Sequence, residues 1–303
     1  MTVLRTATFE LEKACGRHRA VDYLVLAKPR VVVMVLAVTM AGFYMGTAGT
    51  PDWASLLHLL VGVALAAGGT LALNQYMERE EDALMQRTQS RPLPEGRIQP
   101  LPALCFGVGI TIGGLLYLTF MVHALAGFVT AMTACTYLFW YTPLKLKTSL
   151  CSVIGAIPGA LPPVTGWVAA QGAFGGEVWV LCAILYLWQL PHSLAIAWLY
   201  REDYARAGFK LLPVIHPDGR STGRQVVANC LALVAVGLLP TLVGLTGAVY
   251  FVAAFILGVV FLGYGIHMAL RRTADAARRL VYASLVYLPL IYLLMVVDKV
   301  PKL

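Results

Sequence analysis

The stretch Trp53-Ala-Ser-Leu-Leu-His-Leu-Leu-Val-Gly-Val-Ala-Leu-Ala-Ala-Gly-Gly-Thr-Leu-Ala-Leu-Asn74-Gln-Tyr76 contains no Asp, Glu, Lys or Arg, and it runs directly into Met77-Glu78-Arg-Glu-Glu-Asp82. Crossing the roughly 30 Å hydrocarbon core of a bilayer takes about 20 apolar residues in helical form. Lipid offers no partner to backbone N–H and C=O groups, so a crossing segment of this kind is expected to be a helix. Working outward, comparable apolar runs are Val31–Met45, Leu101–Phe120, His123–Trp140, Leu150–Ala170, Val178–Tyr200, Val226–Leu245, Ala248–Ala269 and Val281–Val297. With Trp53–Tyr76 they predict an all-α polytopic membrane protein, a bundle of nine transmembrane helices forming one domain over residues 1–303.

Composition leads the same way. Of 303 residues 59% are hydrophobic and 13% charged, with mean hydropathy +0.75; soluble domains carry about 25% charged residues. Residues 1–22 mix Glu10, Glu12, Arg17 and Arg19 and lack an apolar core, so they read as a cytoplasmic tail rather than a cleaved signal. Cys15, Cys105, Cys135, Cys151, Cys182 and Cys230 show no CxxC spacing and five lie in apolar runs, so neither a disulfide nor a zinc site is expected.

A formal charge of +8 could suggest nucleic acid, but the cations lie between the apolar runs, which argues against it. Of the 23 Lys and Arg, all but Lys299 and Lys302 fall before the first run or in the loops after the second, fourth, sixth and eighth. Lys and Arg near span ends are retained in the cytoplasm, so the pattern predicts a plasma (inner) membrane protein with a cytoplasmic N-terminus and nine spans. The opposite loops, 46–52 and 171–177, are short and nearly uncharged, which assigns chemistry to the cytoplasmic side.

Acids collect on that side. Glu78, Glu80, Glu81 and Asp82 crowd the end of the second run, and Glu202 and Asp203 the end of the sixth. Asn74, Glu78 and Asp82 recur every four residues and share one helical stripe. Such a stripe either solvates a helix end or supplies the hard oxygen ligands of Mg²⁺, which shares its shell with phosphate. Two features favour the metal. Carboxylates at a helix C-terminus oppose the macrodipole and need compensation, and Arg79-Glu-Glu-Asp82-Ala is echoed by Arg201-Glu-Asp203-Tyr-Ala. Arg87, Arg91, Lys145, Lys147, Arg201 and Lys210 anchor loops at the bilayer surface, and one or two of them can also neutralise a diphosphate.

These residues resemble the UbiA-type intramembrane prenyltransferases. Leu26-Ala-Lys-Pro-Arg30 is similar to that family's opening motif, and Asp82-Ala-Leu-Met-Gln-Arg87-Thr-Gln-Ser-Arg91-Pro-Leu to its first Asp-rich motif. Tyr141-Thr-Pro-Leu-Lys145 and Ile154-Gly-Ala-Ile-Pro-Gly-Ala-Leu-Pro-Pro163 resemble the stretch around its fifth span. Trp188-Gln-Leu-Pro-His192, with Arg201-Glu-Asp203-Tyr-Ala-Arg-Ala-Gly208 and Leu212-Pro-Val214, resembles the branch whose acceptor is heme. Three positions depart from the pattern: Glu78 stands where Asp is usual, Ser193 where Phe is usual, and Lys210 where an apolar residue is usual.

The resemblance implies a helical bundle with a cavity opening to the cytoplasmic side, and transfer of the farnesyl group of farnesyl diphosphate to a vinyl group of heme B. It implies Mg²⁺ held by Asn74, Glu78 and Asp82 on one side and Asp203, with Glu202, on the other. Arg87, Arg91, Lys145 or Arg201 would hold the phosphates. His192 would meet the heme as iron ligand or hydrogen-bond partner, although a histidine after Pro191 can equally bond a backbone carbonyl. The partners it implies are membrane lipid and a heme A synthase or terminal-oxidase assembly. A quinone-precursor prenyltransferase, a transporter of anionic metabolites and a non-catalytic assembly scaffold are the rival readings.

Overall fold

The computed structural model describes residues 19–301; the tail up to residue 18, with Arg5, Glu10, Glu12, Lys13, Cys15 and Arg17, and the end with Lys302 lie outside the described residues. Among the described residues, regular structure is helical apart from an isolated bridge between Thr246 and Lys299. Nine helices among the described residues are long and apolar enough to cross a bilayer: Pro29–Gly46, Trp53–Met77, Pro100–Met121, Ala124–Leu144, Cys151–Gln171, Val178–Leu199, Arg220–Leu242, Ala248–Arg271 and Ala274–Val297. They follow the nine expected runs in order and are called the first to ninth spans below.

Local chemistry sets their ends. Asp52 accepts from the Ala54 N–H and Thr273 from the Ala276 N–H, each capping a helix start. Pro29 and Pro100 open two spans at a position where a missing N–H costs nothing. Within the spans, Thr39, Thr70, Thr111 and Thr130 hydroxyls donate to the carbonyl four residues back, which satisfies these four hydroxyl protons in an apolar interior. Val108, Ile112, Leu116 and Phe120, spaced by four, leave one flank of the third span exposed and apolar, a surface matched to lipid.

Neighbouring spans pack in chain order, and the ninth returns to the first. The first and fifth spans also meet directly, because small residues let the backbones approach. A Cβ at Gly42 would overlap the Pro163 backbone, and one at Gly166 the Thr39 carbonyl oxygen. We expect Gly166→Val to destabilise the fold by about 3 kcal/mol through overpacking; unchanged thermal unfolding in detergent would refute this packing account.

The fifth span divides at Leu161 into Cys151–Ala160 and Pro162–Gln171, with Pro162 and Pro163 opening the second half. The fourth passes through a π-helical turn, Thr136–Tyr141, before Thr142–Leu144. The loops after the second, fourth, sixth and eighth spans meet at one end of the bundle. There the Lys210 N–H donates to the Lys145 carbonyl at 2.7 Å, and Arg272 Nη1 to the Asp218 carbonyl at 3.4 Å. At the other end Lys299 Nζ donates to the Tyr44 and Thr47 carbonyls at 2.5 and 2.7 Å, and Gln171 to the Gly46 carbonyl at 2.5 Å.

Candidate active site

The second span stops at Met77. Glu78, at φ −97° and ψ 15°, interrupts it, and a short helix, Arg79–Leu84, follows. The four-residue ladder nevertheless continues across the break: Glu78 N–H donates to Asn74 C=O at 3.0 Å and Asp82 N–H to Glu78 C=O at 2.8 Å. The expected stripe of Asn74, Glu78 and Asp82 therefore holds, and the three are buried, 1%, 8% and 1% exposed. The sixth span ends in the same way, with Tyr200 at φ −110° and ψ 24° before the short helix Arg201–Arg206.

These breaks correct one expectation. Glu80, Glu81 and Asp82, like Glu202 and Asp203, lie in the first turn of a short helix rather than the last turn of a long one. The local backbone dipole then favours the carboxylates instead of opposing them, so the macrodipole argument for compensation fails.

Compensation is nonetheless present, for another reason: buried carboxylates need partners. Lys145 Nζ lies 2.7 Å from Glu78 Oε1, Arg91 Nη1 lies 2.5 Å from Asp82 Oδ2, and Arg206 pairs with Asp203. Asn74 accepts from Lys28 Nζ at 3.2 Å and donates to Thr142 Oγ1 at 3.2 Å. The two acid-bearing segments touch through Arg87. Its backbone N–H donates to Asp203 Oδ2 at 3.4 Å and its Nη2 to the Tyr204 hydroxyl at 2.7 Å, with the guanidinium over the Tyr200 and Tyr204 rings. Met85, Ala197, Ala207, Phe209 and Leu211 pack beneath as one apolar cluster.

The fourth span adds a wall. Tyr141, last residue of the π-helical turn, lies flat against Gly155, where a Cβ would overlap its ring, and Lys145 Nζ sits 4.4 Å from that ring's centroid. Burial opposes the Lys145 charge, but Tyr141 and Glu78 more than offset it, so the ammonium is held well above its ordinary range. Lys28 goes the other way: burial, with the Arg91 and Lys145 charges beside it, lowers it to about 7 against the pull of Glu78 and Asp82. Lys28 also holds a left-handed backbone, φ 50°, in front of Pro29.

Not every expected residue converges. Glu202 is exposed while its neighbour Asp203 is buried, as adjacent helical positions point about 100° apart. Arg201 turns back onto the end of the sixth span, donating to the Trp198 carbonyl at 3.4 Å and lying over the Trp198 ring. Residues that sequence reasoning did not assign are Lys28, Thr142, Tyr204 and Arg206. All four lie within the stretches that carry the family resemblance, and Arg206 also stands three residues after Asp203.

Among the described residues no three His, Cys, Asp or Glu side chains converge as a metal cluster. The donor set is still right for a hard cation, since the buried groups offer oxygen only and Glu81 Oε2 is buried without a hydrogen bond. Two hollows are described, of about 430 Å³ beside Tyr23 and Phe106 and about 360 Å³ beside Thr47 and Gln171, and neither is lined by the carboxylates expected to ring a cavity. His192 bonds no backbone carbonyl; its Nδ1 lies 2.6 Å from Ser284 Oγ on the ninth span.

The model of the UbiA prenyltransferase family matches residues 35–288, most of the chain. The chain belongs to the UbiA prenyltransferase family. Within it, the chain is 47% identical over 287 residues to protoheme IX farnesyltransferase from Solibacter usitatus, covering 92% of this chain and 98% of that protein. The fold is that of other UbiA proteins. A structure from work on digeranylgeranylglyceryl phosphate synthase aligns with TM-score 0.77 at 17% identity, covering 93% of this chain and 98% of that one. A UbiA homolog from Archaeoglobus fulgidus bound to DMAPP and Mg²⁺ aligns with TM-score 0.68 at 15% identity, over 91% and 99%.

Proposed function

We propose that this UbiA-family chain transfers the farnesyl group of farnesyl diphosphate to a vinyl group of heme B, diphosphate leaving and a water supplying the hydroxyl of the product, making heme O for terminal oxidases. The observation that carries the reading is the near-full-length match to protoheme IX farnesyltransferase at 47% identity. The whole chain acts as one domain in the bacterial inner membrane, its N-terminus and acid-bearing end cytoplasmic, supplying a heme A synthase or oxidase assembly.

The chemistry requires a carbon–oxygen bond to break as negative charge grows on the departing diphosphate. In this reading Asn74, Glu78, Asp82 and Asp203 would hold Mg²⁺, with Glu202 at the margin. When bound, Mg²⁺ neutralises and orients the diphosphate. The chain's own residues do the rest. Lys145, Arg91 and Arg206 neutralise the buried carboxylates, and Lys145 and Arg91, with Arg87, are within the same neighbourhood to turn toward phosphate oxygens. Arg201 reaches phosphate only by leaving Trp198. Tyr141, Phe209 and the apolar cluster beneath shield an allylic cation from water. His192 meets the heme.

Membranes containing the chain, incubated with heme B, farnesyl diphosphate and Mg²⁺, should yield a heavier, more hydrophobic heme by mass spectrometry, and chelation with EDTA should abolish it. Failure with heme alongside success with a phenolic acceptor would transfer the reading to a quinone-precursor enzyme.

A further inference from the structure

Ser284 is fully buried on the ninth span and makes two contacts of equal length: its Oγ lies 2.6 Å from the Val281 carbonyl oxygen and 2.6 Å from His192 Nδ1. A hydroxyl has one proton. The carbonyl can only accept, so the proton goes there, and the Ser284 oxygen must then accept from His192. With Nδ1 unprotonated, one of the two contacts would set lone pair against lone pair at a distance where neither atom donates. The arrangement is satisfied by a neutral imidazole protonated at Nδ1, with its lone pair on Nε2. Trp188 tightens it: its indole N–H donates to the Ser284 backbone carbonyl at 2.9 Å, and its ring stacks on the imidazole with centroids 4.9 Å apart and planes 15° from parallel. One serine therefore holds both side chains, and Nε2 has no hydrogen bond among the described residues.

We propose that Ser284 is a positioning residue that fixes His192 as the Nδ1–H tautomer and so presents Nε2 as an axial ligand to the iron of the tetrapyrrole acceptor. The inference rests on the heme reading above. Histidines that bind a metal through one nitrogen donate the other N–H to an outer partner, which sets ring orientation and tautomer. Here a serine hydroxyl, whose own proton is committed to a helix carbonyl, takes that place. Nothing in this arrangement involves the carboxylates, so it affects the acceptor without affecting the prenyl donor.

The test uses purified full-length protein with ferric heme B, comparing the parent, Ser284→Ala, Ser284→Thr and His192→Ala by absorption spectrum and by KM for each substrate. Ser284→Ala is expected to raise KM for heme about tenfold or more and to move the spectrum to that of His192→Ala. KM for farnesyl diphosphate should stay at the parent value, and Ser284→Thr, which keeps the hydroxyl, should restore the parent spectrum. If His192→Ala changes the spectrum and Ser284→Ala does not, the tautomer proposal is overturned and the heme reading stands. If neither changes it, His192 does not ligate the iron and the proposal is overturned, while formation of the heavier heme by the parent still decides the heme reading. Should Ser284→Ala fail to fold, Ser284→Cys, of similar size but a weaker acceptor, is expected to shift the spectrum part of the way, and a parental spectrum in it counts equally against the proposal.

Discussion

Asp82→Asn and Asp203→Asn, assayed separately in membranes, are each expected to lower farnesylation by about 10²–10³-fold, the scale seen when one preorganised group at a developing charge is removed. Both side chains are buried, and both substitutions keep the shape and one accepting oxygen while removing the charge. Insertion should therefore be normal, which immunoblotting of the membrane fraction can verify. The two positions lie on segments joined by the Arg87 N–H to Asp203 contact, so each loss should be large and the double variant little worse than either single one. Near-parental rates in both single variants would remove the carboxylates from the chemistry.

The second large effect concerns stability. Asp82 is 1% exposed and its ion-pair partner Arg91 26% exposed at the side chain, so Arg91→Ala leaves a buried carboxylate without its cation. Breaking such a pair costs about 3–5 kcal/mol. Thermal unfolding in detergent should show that loss for Arg91→Ala and recovery of most of it in Arg91→Ala/Asp82→Asn, while activity stays low in both. A double variant no more stable than Arg91→Ala would mean that Arg91 acts through contacts other than Asp82.

Much of the architecture was legible in the sequence because uncharged apolar runs admit few alternatives in lipid. The ends were less so: the seventh span begins at Arg220 rather than Val226, since its first turns are polar and run into the loop. The breaks at Glu78 and Tyr200 carry no Gly or Pro, and a strict four-residue repeat through Asn74, Glu78 and Asp82 reads as an uninterrupted helix. That repeat did predict a single stripe, because the hydrogen-bond ladder survives the break, but not its burial. Pairings across the bundle, Lys145 with Glu78 and Ser284 with His192, were not legible at all. They join residues far apart in the chain whose local sequence reads as loop anchor or apolar span.

The two rims of the bundle are fastened by different kinds of bond. At one rim Lys299 and Gln171 tie side chains to main-chain oxygens of the first span and its end, a seam that no anion or cation needs to displace. At the other, Lys145, Arg91 and Arg206 clasp acids that a divalent ion and a phosphorylated guest could each relieve of a partner. One end of the bundle is thus held by side chains on neutral carbonyls and the other by cations on carboxylates, so only the second loses its charge pairing when those acids are neutralised.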